Sequence, residues 1–337
     1  MRRADFLWTT LLLAAGGGAI KWLALSDISR ESWTDGSRCP TGPNRTAYGL
    51  SRNHVRFCGS NLHLMPAIVR ASSLAVRGCK HFFRWRRWNC SSVDELPKRK
   101  PVLRDGTREQ AFLFAFSSAM MVHAIATGCR RQEITHCPCS DVRAQQRYID
   151  IDDFATGHER FLPARLNVNR HNMKAGRSLA SEERIGKILF RKHLRATLIR
   201  LPKPPRDDPT TSTTPSTLPL TSTPSSRQRF KKRRRRRNLI RAETARRLRR
   251  VAGADLVFLA QSKDFCDPDD KFGSAGTIGR QCNSTMGGHA ACDSMCCGRG
   301  WTRRRRQFVE QCNKRYVHCC YIEFDNCTRV VTEEFCA

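Results

Sequence analysis

The sequence predicts an α-helical N-terminal domain followed by a small cysteine-rich domain that is held together by disulfides. Two apolar segments with helical spacing lie in the first 130 residues, and ten of the seventeen cysteines lie in the last 72 residues of the 337-residue chain. Between these regions the composition changes sharply, since twelve of the seventeen residues from 210 to 226 are Ser or Thr. The length allows about two domains, so we expect a linker without a core between them.

Two N-terminal segments are predicted to be helices. In residues 61–79 the apolar side chains recur at helical spacing, at Leu64, Ile68, Ala71 and Ala75. The run from Ala111 to Ala126 carries Phe112, Phe116, Met120 and Ala124, and it follows a candidate capping box formed by Thr107 and Gln110. Because this run is apolar nearly all round, we expect a buried helix; membrane insertion is less favoured, since the run is shorter than the ~20 residues of a span.

The N-terminus has the layout of a secretory signal peptide. Arg2 and Arg3 precede an apolar run from Phe6 to Ala15, and Lys21 interrupts it well short of a membrane span. We place the signal peptide at 1–26, with candidate cleavage sites at residues 16–18 and 24–26. Four N-glycosylation sequons follow, at Asn44, Asn89, Asn283 and Asn326. Together these features predict a secreted, glycosylated, disulfide-bonded protein without a transmembrane span.

The charge predicts polyanionic partners. The chain has 61 Lys+Arg against 30 Asp+Glu, a formal net charge of +31, of which +13 lies in residues 227–250. The run Lys231–Arg237 has three interpretations besides a nucleic-acid site: a convertase-type cleavage site, a heparan sulfate contact, or a solvated loop without a partner. The signal peptide favours the first two, and the sequence does not decide between them. Arg303–Arg306 form a second basic cluster for the same polyanion. Residues 203–252 are predicted to be a disordered linker.

The sequence predicts neither an enzyme nor a metal protein. It contains no G-x-S-x-G, H-E-x-x-H or Gly-rich phosphate loop, and no cofactor is expected. Residues 136–139 and 318–320 carry His and Cys, but no C-x-x-C pair accompanies them, and adjacent cysteines do not easily reach one tetrahedral ion. We therefore assign these cysteines to disulfides and expect no metal.

Several blocks resemble the Wnt family of secreted signalling glycoproteins. The blocks are Arg86-Arg-Trp-Asn-Cys-Ser-Ser92, Gly106-Thr-Arg-Glu-Gln-Ala-Phe112, His171-Asn-Met-Lys-Ala-Gly-Arg177, Gly279-Arg-Gln-Cys282, Cys292-Asp-Ser-Met-Cys-Cys-Gly-Arg-Gly300 and His318-Cys-Cys-Tyr321. The double cysteine followed by Gly-Arg-Gly is highly specific. Residues 20–26 resemble the N-terminus of the eleven-type, noncanonical subgroup. The resemblance covers residues 20–139 and 253–337 well and 165–180 weakly.

The resemblance implies an α+β fold and a receptor ligand. The fold would have a helical N-terminal domain at 27–202 and a β-hairpin, cysteine-rich domain at 253–337. The ligand would bind the cysteine-rich domain of Frizzled-type receptors and trigger noncanonical signalling in development and cell polarity, with heparan sulfate proteoglycans as further partners in the extracellular matrix. The receptor contacts would come from one loop: Tyr316, Val317, His318, Cys319, Cys320 and Tyr321.

The resemblance also implies seven disulfides: Cys79–Cys90, Cys129–Cys137, Cys266–Cys297, Cys282–Cys292, Cys296–Cys336, Cys312–Cys327 and Cys319–Cys320. We expect an eighth between the two remaining cysteines near the N-terminus, Cys39 and Cys58. The odd cysteine would then be Cys139, because the segment that carries its usual partner is missing. Two further family cysteines, which normally pair with each other, are replaced together by Lys314 and Phe324.

The lipid-carrying hairpin of the family is also missing. Residues 179–187 hold no cysteine, and neither Ser178 nor Ser181 has the required context, so no lipidation site is transferred. Three alternatives therefore stay open. The chain could be a non-acylated decoy, it could be a basic matrix protein held by glycosaminoglycans, or residues 181–252 could be a read-through segment that replaces the hairpin.

Overall fold

The chain divides into two compact units. In the computed structural model, unit 1 consists of Met1–Gly78 and Leu96–Ser262, and unit 2 of Cys79–Glu95 and Lys263–Ala337. The residues that the structure describes are 22–26, 33, 36–39, 48–96, 101–134, 137, 164–182, 184–200, 238–240 and 242–337. Helices in unit 1 and small sheets in unit 2 make an α+β fold, as predicted.

Unit 1 is built from helices. Their bounds are α1 (Arg52–Ser60), α2 (Met65–Phe83, whose last five residues belong to unit 2), α3 (Arg108–Arg130), α4 (Ala164–Ser178) and α5 (Ile185–Leu194). Both predicted helices are confirmed as α2 and α3, and α3 extends beyond its predicted bounds at each end. The side chains that suggested them are buried: Leu64, Ile68, Ala71, Ala75, Phe112, Phe116, Met120 and Ala124.

Only one of the two hydrogen bonds of the predicted capping box of α3 is present. Thr107 is the N-cap, and its Oγ1 accepts a hydrogen bond from the Gln110 backbone N–H at 3.1 Å. The Gln110 side chain reaches the N–H of Gly106 at 2.6 Å and the carbonyl of Leu103 at 2.7 Å, instead of the Thr107 N–H. Gln110 therefore ties the preceding turn to the helix start and leaves no buried amide unpaired.

Helix α3 is the centre of unit 1. It is the one helix among the described residues with the length and apolar composition to cross a membrane. Its side chains from Glu109 to Met121 are all buried, which is typical of a core helix of a soluble domain. Helix α4 packs closely against it, since a Cβ at Gly176 would overlap the backbone of Ala115. A glycine is required at that crossing.

The prediction that residues 203–252 form a disordered linker is partly wrong. Residues 238–240 and 242–248 are helical, and Thr244 is fully buried. Leu248 and Val251 pack on an apolar cluster of Val168, Ile199 and Val257. The predicted disorder overlooked these side chains because the surrounding arginines dominate the composition. Residues 203–237 lie outside the described residues.

A short parallel pair connects the two sides of that linker. Strand β1 (Thr197–Leu198) pairs with β2 (Val257–Phe258). Helix α5, β1 and the helical residues 242–248 all belong to unit 1, so the read-through interpretation of 181–252 loses its support over 184–200 and 242–252.

The N-terminal boundary also differs from the expectation. Trp22, Leu23 and Leu25 are buried in unit 1, and the Trp22 ring packs edge-on against His54 at 4.7 Å. The hydroxyl of Ser72 donates to the Trp22 carbonyl at 2.8 Å. A signal peptide that ended at residue 26 would remove these contacts, so the cleavage site at residues 16–18 is the one that we now expect. Residues 1–21 themselves lie outside the described residues.

Unit 2 is organised around a long β-hairpin. Strands β6 (Trp301–Val317) and β7 (Tyr321–Cys336) are antiparallel, and β5 (Gln281–Cys282) joins β7 at the base. A small antiparallel pair, β3 (Pro268–Asp269) with β4 (Ser274–Ala275), and the short helix α6 (Cys292–Met295) complete it. Residues 79–95, which the sequence placed in the N-terminal domain, belong to this unit, because their backbone and side chains bond to residues 272–294.

Candidate functional site

Disulfides form the core at the base of the hairpin. Cys282–Cys292 and Cys296–Cys336 lie side by side with Met295, and Trp301 packs on them. Seven disulfides are present among the described residues. Six of them join pairs that the family pattern implies: Cys79–Cys90, Cys129–Cys137, Cys266–Cys297, Cys282–Cys292, Cys296–Cys336 and Cys312–Cys327. The seventh is the expected N-terminal pair Cys39–Cys58. The cross-strand bridge Cys312–Cys327 closes a short loop and is worth about 3 kcal/mol in the chain-entropy account.

Arg280 secures residues 84–87 beside this core. Its guanidinium donates hydrogen bonds to the carbonyls of Arg84 (3.0 Å), Arg86 (2.6 Å) and Arg87 (2.6 Å). No carboxylate among the described residues forms an ion pair with it, and burial lowers its pKa to about 10. Arg87 in turn donates two bonds to the Ser294 carbonyl. These arginines therefore hold the base of the hairpin and are not free to bind an external anion.

The two faces of the hairpin differ in chemistry. We call face A the side that carries the Cys312–Cys327 bridge, and face B the opposite side. On face A two ion pairs cross the strands, Arg306 with Glu333 and Arg315 with Glu323. Face B carries uncharged side chains from residue 307 to the tip, leaving aside the bulge residues 313 and 314.

The six predicted receptor-contact residues come together in one exposed turn, the hairpin tip (Tyr316–Tyr321). Tyr316 lies on face B with 73% of its surface exposed, and Tyr321 lies on face A with 56% exposed. His318, Cys319 and Cys320 form the turn and are exposed. Cys319 and Cys320 have φ of 72° and 116°, which costs a non-glycine residue roughly 1–3 kcal/mol each. The tip is therefore a strained turn flanked by two tyrosines.

The expected Cys319–Cys320 disulfide is not formed. The two Sγ atoms lie 3.1 Å apart, and both cysteines are free thiols. Adjacent Cα atoms are about 3.8 Å apart across a trans peptide, whereas disulfides usually span about 4.4–6.8 Å. Closing this bond would therefore distort the peptide between them. The contact with Cys319 raises the pKa of the Cys320 thiol.

Sequence reasoning missed two apolar neighbours of the tip. Ile322 is paired with Tyr316 across the strands and is exposed, and Phe324 lies two residues further on the same face. Strand alternation from Tyr316 would have found them. Lys314, one of the two lost family cysteine positions, lies in a β-bulge next to Asn313, whose side chain donates to Asp325 at 3.0 Å. The bulge bends the strand where the family has its cross-link.

Three of the four sequons can be located. Asn89 accepts from the Ser91 N–H at 3.2 Å, and Asn283 accepts from the Thr285 N–H at 2.8 Å, so both lie in turns. Asn326 is exposed in the middle of β7. Asn44 and the predicted free thiol Cys139 lie outside the described residues. Ser178 ends α4, where its hydroxyl donates to the Ala175 carbonyl at 2.9 Å, and Ser181 is exposed.

One sulfur cluster has the spacing of a metal site. The Sγ atoms of Cys282, Cys296 and Cys336 lie within 4.8 Å of one another. All three are oxidised in disulfides, so they offer no thiolate to an ion. The cluster is explained by two adjacent bridges.

Comparisons with known proteins identify the family. The Wnt family model matches residues 46–337. Protein Wnt-11b-1 of Xenopus tropicalis is 30% identical over 352 residues, covering 97% of both chains. Wnt-11 of Gallus gallus is 29% identical and covers 94% of this chain and 93% of its own length. Wnt-3a of Xenopus laevis is 30% identical and covers 87% and 88%.

The fold has a solved counterpart. A structure of human WLS in complex with WNT8A aligns with a TM-score of 0.55 and 23% identity, covering 83% of this chain and 95% of that one. It supports the α+β fold. Since the family model and relatives of 30% identity both span nearly the whole chain, the chain belongs to the Wnt family of secreted signalling ligands.

Proposed function

We propose that this protein is a secreted ligand that binds the cysteine-rich domain of Frizzled-type receptors through the hairpin tip. The observation that carries the proposal is the tip itself, which presents Tyr316 and Tyr321 on opposite faces of an exposed, strained turn. Aromatic side chains held at a protruding tip are the kind of anchor that dominates binding energies. The similarity to Wnt-11 proteins supports noncanonical, polarity-type signalling in development as the outcome.

The lipid that strengthens binding in the family has no acceptor site that we can assign here. A fully buried chain of that length is worth on the order of 10 kcal/mol gross at about 0.8 kcal/mol per CH₂. Contacts of the tip alone would have to offset the entropy cost of association. We therefore expect a much weaker receptor affinity than that of an acylated relative.

Heparan sulfate is the second proposed partner and would hold the protein in the extracellular matrix. Arg303–Arg306 support this assignment. Arg303 is paired with Glu334 and Arg306 with Glu333, whereas Arg305 has no ion pair among the described residues. The helical residues 242–248 lead to Arg249 and Arg250, which are exposed. The same observations favour the alternative of a matrix protein held by glycosaminoglycans alone.

Cells that express or lack a Frizzled-type receptor distinguish these functions. We expect the purified full chain to bind receptor-positive cells in the presence of excess heparin and to change a polarity readout. Binding that disappears completely with heparin would favour the matrix protein. Binding without any signalling response would favour the decoy.

A further inference from the structure

Face B of the hairpin is an uncharged surface on a strongly basic chain. Following the strand register, its members between the basic cluster and the tip are Gln307, Val309, Gln311, Tyr316, Ile322, Phe324, Asn326, Thr328 and Val330. Over the same stretch, face A carries the charged side chains of Glu310, Arg315, Glu323, Asp325 and Arg329. With a chain charge of +31, this asymmetry between the faces is not explained by composition.

The apolar members of face B are open to solvent. Val309 is 71% exposed, Val330 is 55% exposed, and Phe324 is 46% exposed. Beyond the short pairing with β5 at its base, the hairpin has two strands and no layer packs on this face within unit 2. These side chains form two apolar groups, Val309 with Val330 and Phe324 with Ile322 and Tyr316, separated by the polar row of Gln311 and Asn326. Exposed apolar groups on a long, two-stranded ribbon favour association between molecules.

Asn326 lies between the two apolar groups of face B. It faces Gln311 across the strands, and Phe324 and Thr328 are its neighbours on the same face, each about 7 Å away along the strand. Asn326, Cys327 and Thr328 form an N-glycosylation sequon, and the Asn326 side chain is exposed. We propose that an N-linked glycan on Asn326 covers face B, with the apolar faces of its first sugars packed on Phe324 and Val309.

The modification is an ordinary group transfer. The carboxamide nitrogen of Asn326 displaces the pyrophosphate from the anomeric carbon of a polyprenyl-pyrophosphate-linked oligosaccharide. A C–N bond forms, the C–O bond to the pyrophosphate breaks with its electron pair, and one amide proton leaves with the lipid pyrophosphate. The proposal requires only that the chain passes through the secretory pathway, as Wnt proteins do, and does not depend on receptor binding.

The proposal separates the roles of the two faces. A glycan on Asn326 leaves face A and the tip open, because Tyr316 and Ile322 lie about 13 Å further along the ribbon. Receptor contacts would then come from the tip. The glycan would keep the remaining apolar side chains of face B from pairing with a second molecule.

Two variants remove the Asn326 sequon, and two matched control variants leave it intact. Asn326→Gln and Thr328→Ala each abolish it, whereas Thr328→Ser keeps it. Asn283→Gln removes the other sequon of the C-terminal segment, which lies in a turn outside the hairpin. The full chain is secreted from animal cells, Asn326 occupancy is read by peptide mass mapping, and self-association and apolar-dye binding are measured on the purified protein.

We expect Asn326 to be glycosylated in the wild type. Asn326→Gln and Thr328→Ala should bind dye several-fold more strongly and self-associate, while both controls behave as the wild type. Adding Phe324→Thr and Val309→Thr to Asn326→Gln should restore the monomer. If the variants are not secreted, enzymatic removal of the glycans from the folded wild type should produce the same change.

Other occupants of face B give different results. An unglycosylated Asn326 in the secreted wild type overturns the proposal, and so does an Asn326→Gln variant that stays monomeric and binds no dye. If the wild type is an unglycosylated dimer that Phe324→Thr dissociates, the face is an interface between copies. If Asn326 is unglycosylated and Phe324→Thr weakens receptor binding, the face belongs to the receptor site.

Discussion

Single residues at the base of the hairpin hold together parts of the chain that are far apart in sequence. Arg280 is the clearest case, because one guanidinium satisfies three backbone carbonyls of residues 84–87. A charged donor of this kind contributes more than a neutral one, and its loss would leave partly buried carbonyls without partners. The conformation of residues 84–87 therefore depends on a residue almost two hundred positions away.

We expect Arg280→Leu to destabilise residues 79–95 by about 2–4 kcal/mol. Hydrogen–deuterium exchange of the peptide containing residues 84–88 should speed up accordingly. Arg305→Leu is the matched control, since Arg305 is an arginine of the same unit without an ion pair among the described residues. Equal exchange in the two variants would show that the Arg280 bonds contribute nothing.

The burial of Glu109 should make the stability of unit 1 depend on pH. Its carboxylate accepts a hydrogen bond from Ser262, but burial raises its pKa above the usual value of 4.5. A raised pKa in the folded state means that stability is highest below the unfolded pKa and falls as pH rises through the folded one. We expect Glu109→Gln to unfold later than the wild type at pH 7, with the difference closing toward pH 4.5.

Glu334 should have the opposite effect on stability, because its pKa is lowered and not raised. Hydrogen bonds from Ser284 lower its pKa, so its contribution is present above the unfolded pKa and is lost as pH falls. Glu334→Gln should therefore unfold earlier than the wild type at neutral pH and converge with it in acid. Thermal unfolding at several pH values measures both variants, and a Glu109→Gln variant less stable than the wild type at pH 7 would contradict the argument.

Among the elements, the helices were predictable and the helical segment after the basic run was not. Helix α2 has an apolar stripe with clear helical periodicity, and the α3 run is long and apolar nearly all round. In residues 242–251 the inward side consists of the buried Thr244 and the partly buried Leu248 and Val251 between arginines. Leu248 and Val251 are recognised as core residues only from their contacts with the cluster of Val168, Ile199 and Val257. The placement of residues 79–95 with the C-terminal unit also escaped prediction, because it rests on backbone carbonyls that have no sequence signature.

Two deletions test where this linker ends. Deleting 203–237 should leave secretion and thermal stability near those of the wild type, since Arg247 donates to the Arg200 carbonyl at 2.6 Å and already brings the two sides together. Deleting 203–252 removes the buried Thr244 and takes the partly buried Leu248 and Val251 away from the apolar cluster, and it should destabilise unit 1. Each of these two side chains should cost less than the roughly 1.5–3 kcal/mol of a fully buried large one. Equal behaviour of the two deletions would support the original boundary at residue 252.

For the whole molecule, short cysteine-rich sequence motifs identify the family, but they do not predict how the protein binds its receptor. Cysteine spacing and the double cysteine with Gly-Arg-Gly suffice to identify a Wnt, and six of the seven disulfides agree with that pattern. The open thiols at Cys319 and Cys320 and the unequal hairpin faces depend on backbone φ angles and on strand register, which spacing does not encode. No cysteine occurs between Cys139 and Cys266, so no lipid-carrying hairpin is assigned and the proposed receptor binding rests on the hairpin tip.

The most direct measurement is a titration of the purified full chain against the cysteine-rich domain of a Frizzled-type receptor. We expect saturable binding that weakens at least tenfold, or about 1.4 kcal/mol, when Tyr316→Ser and Tyr321→Ser are combined. Phe308→Ser, an exposed aromatic residue on face A away from the tip, is the control and should bind as the wild type does. No binding by the wild type, or equal binding by the tip variant, would contradict receptor engagement through the hairpin tip.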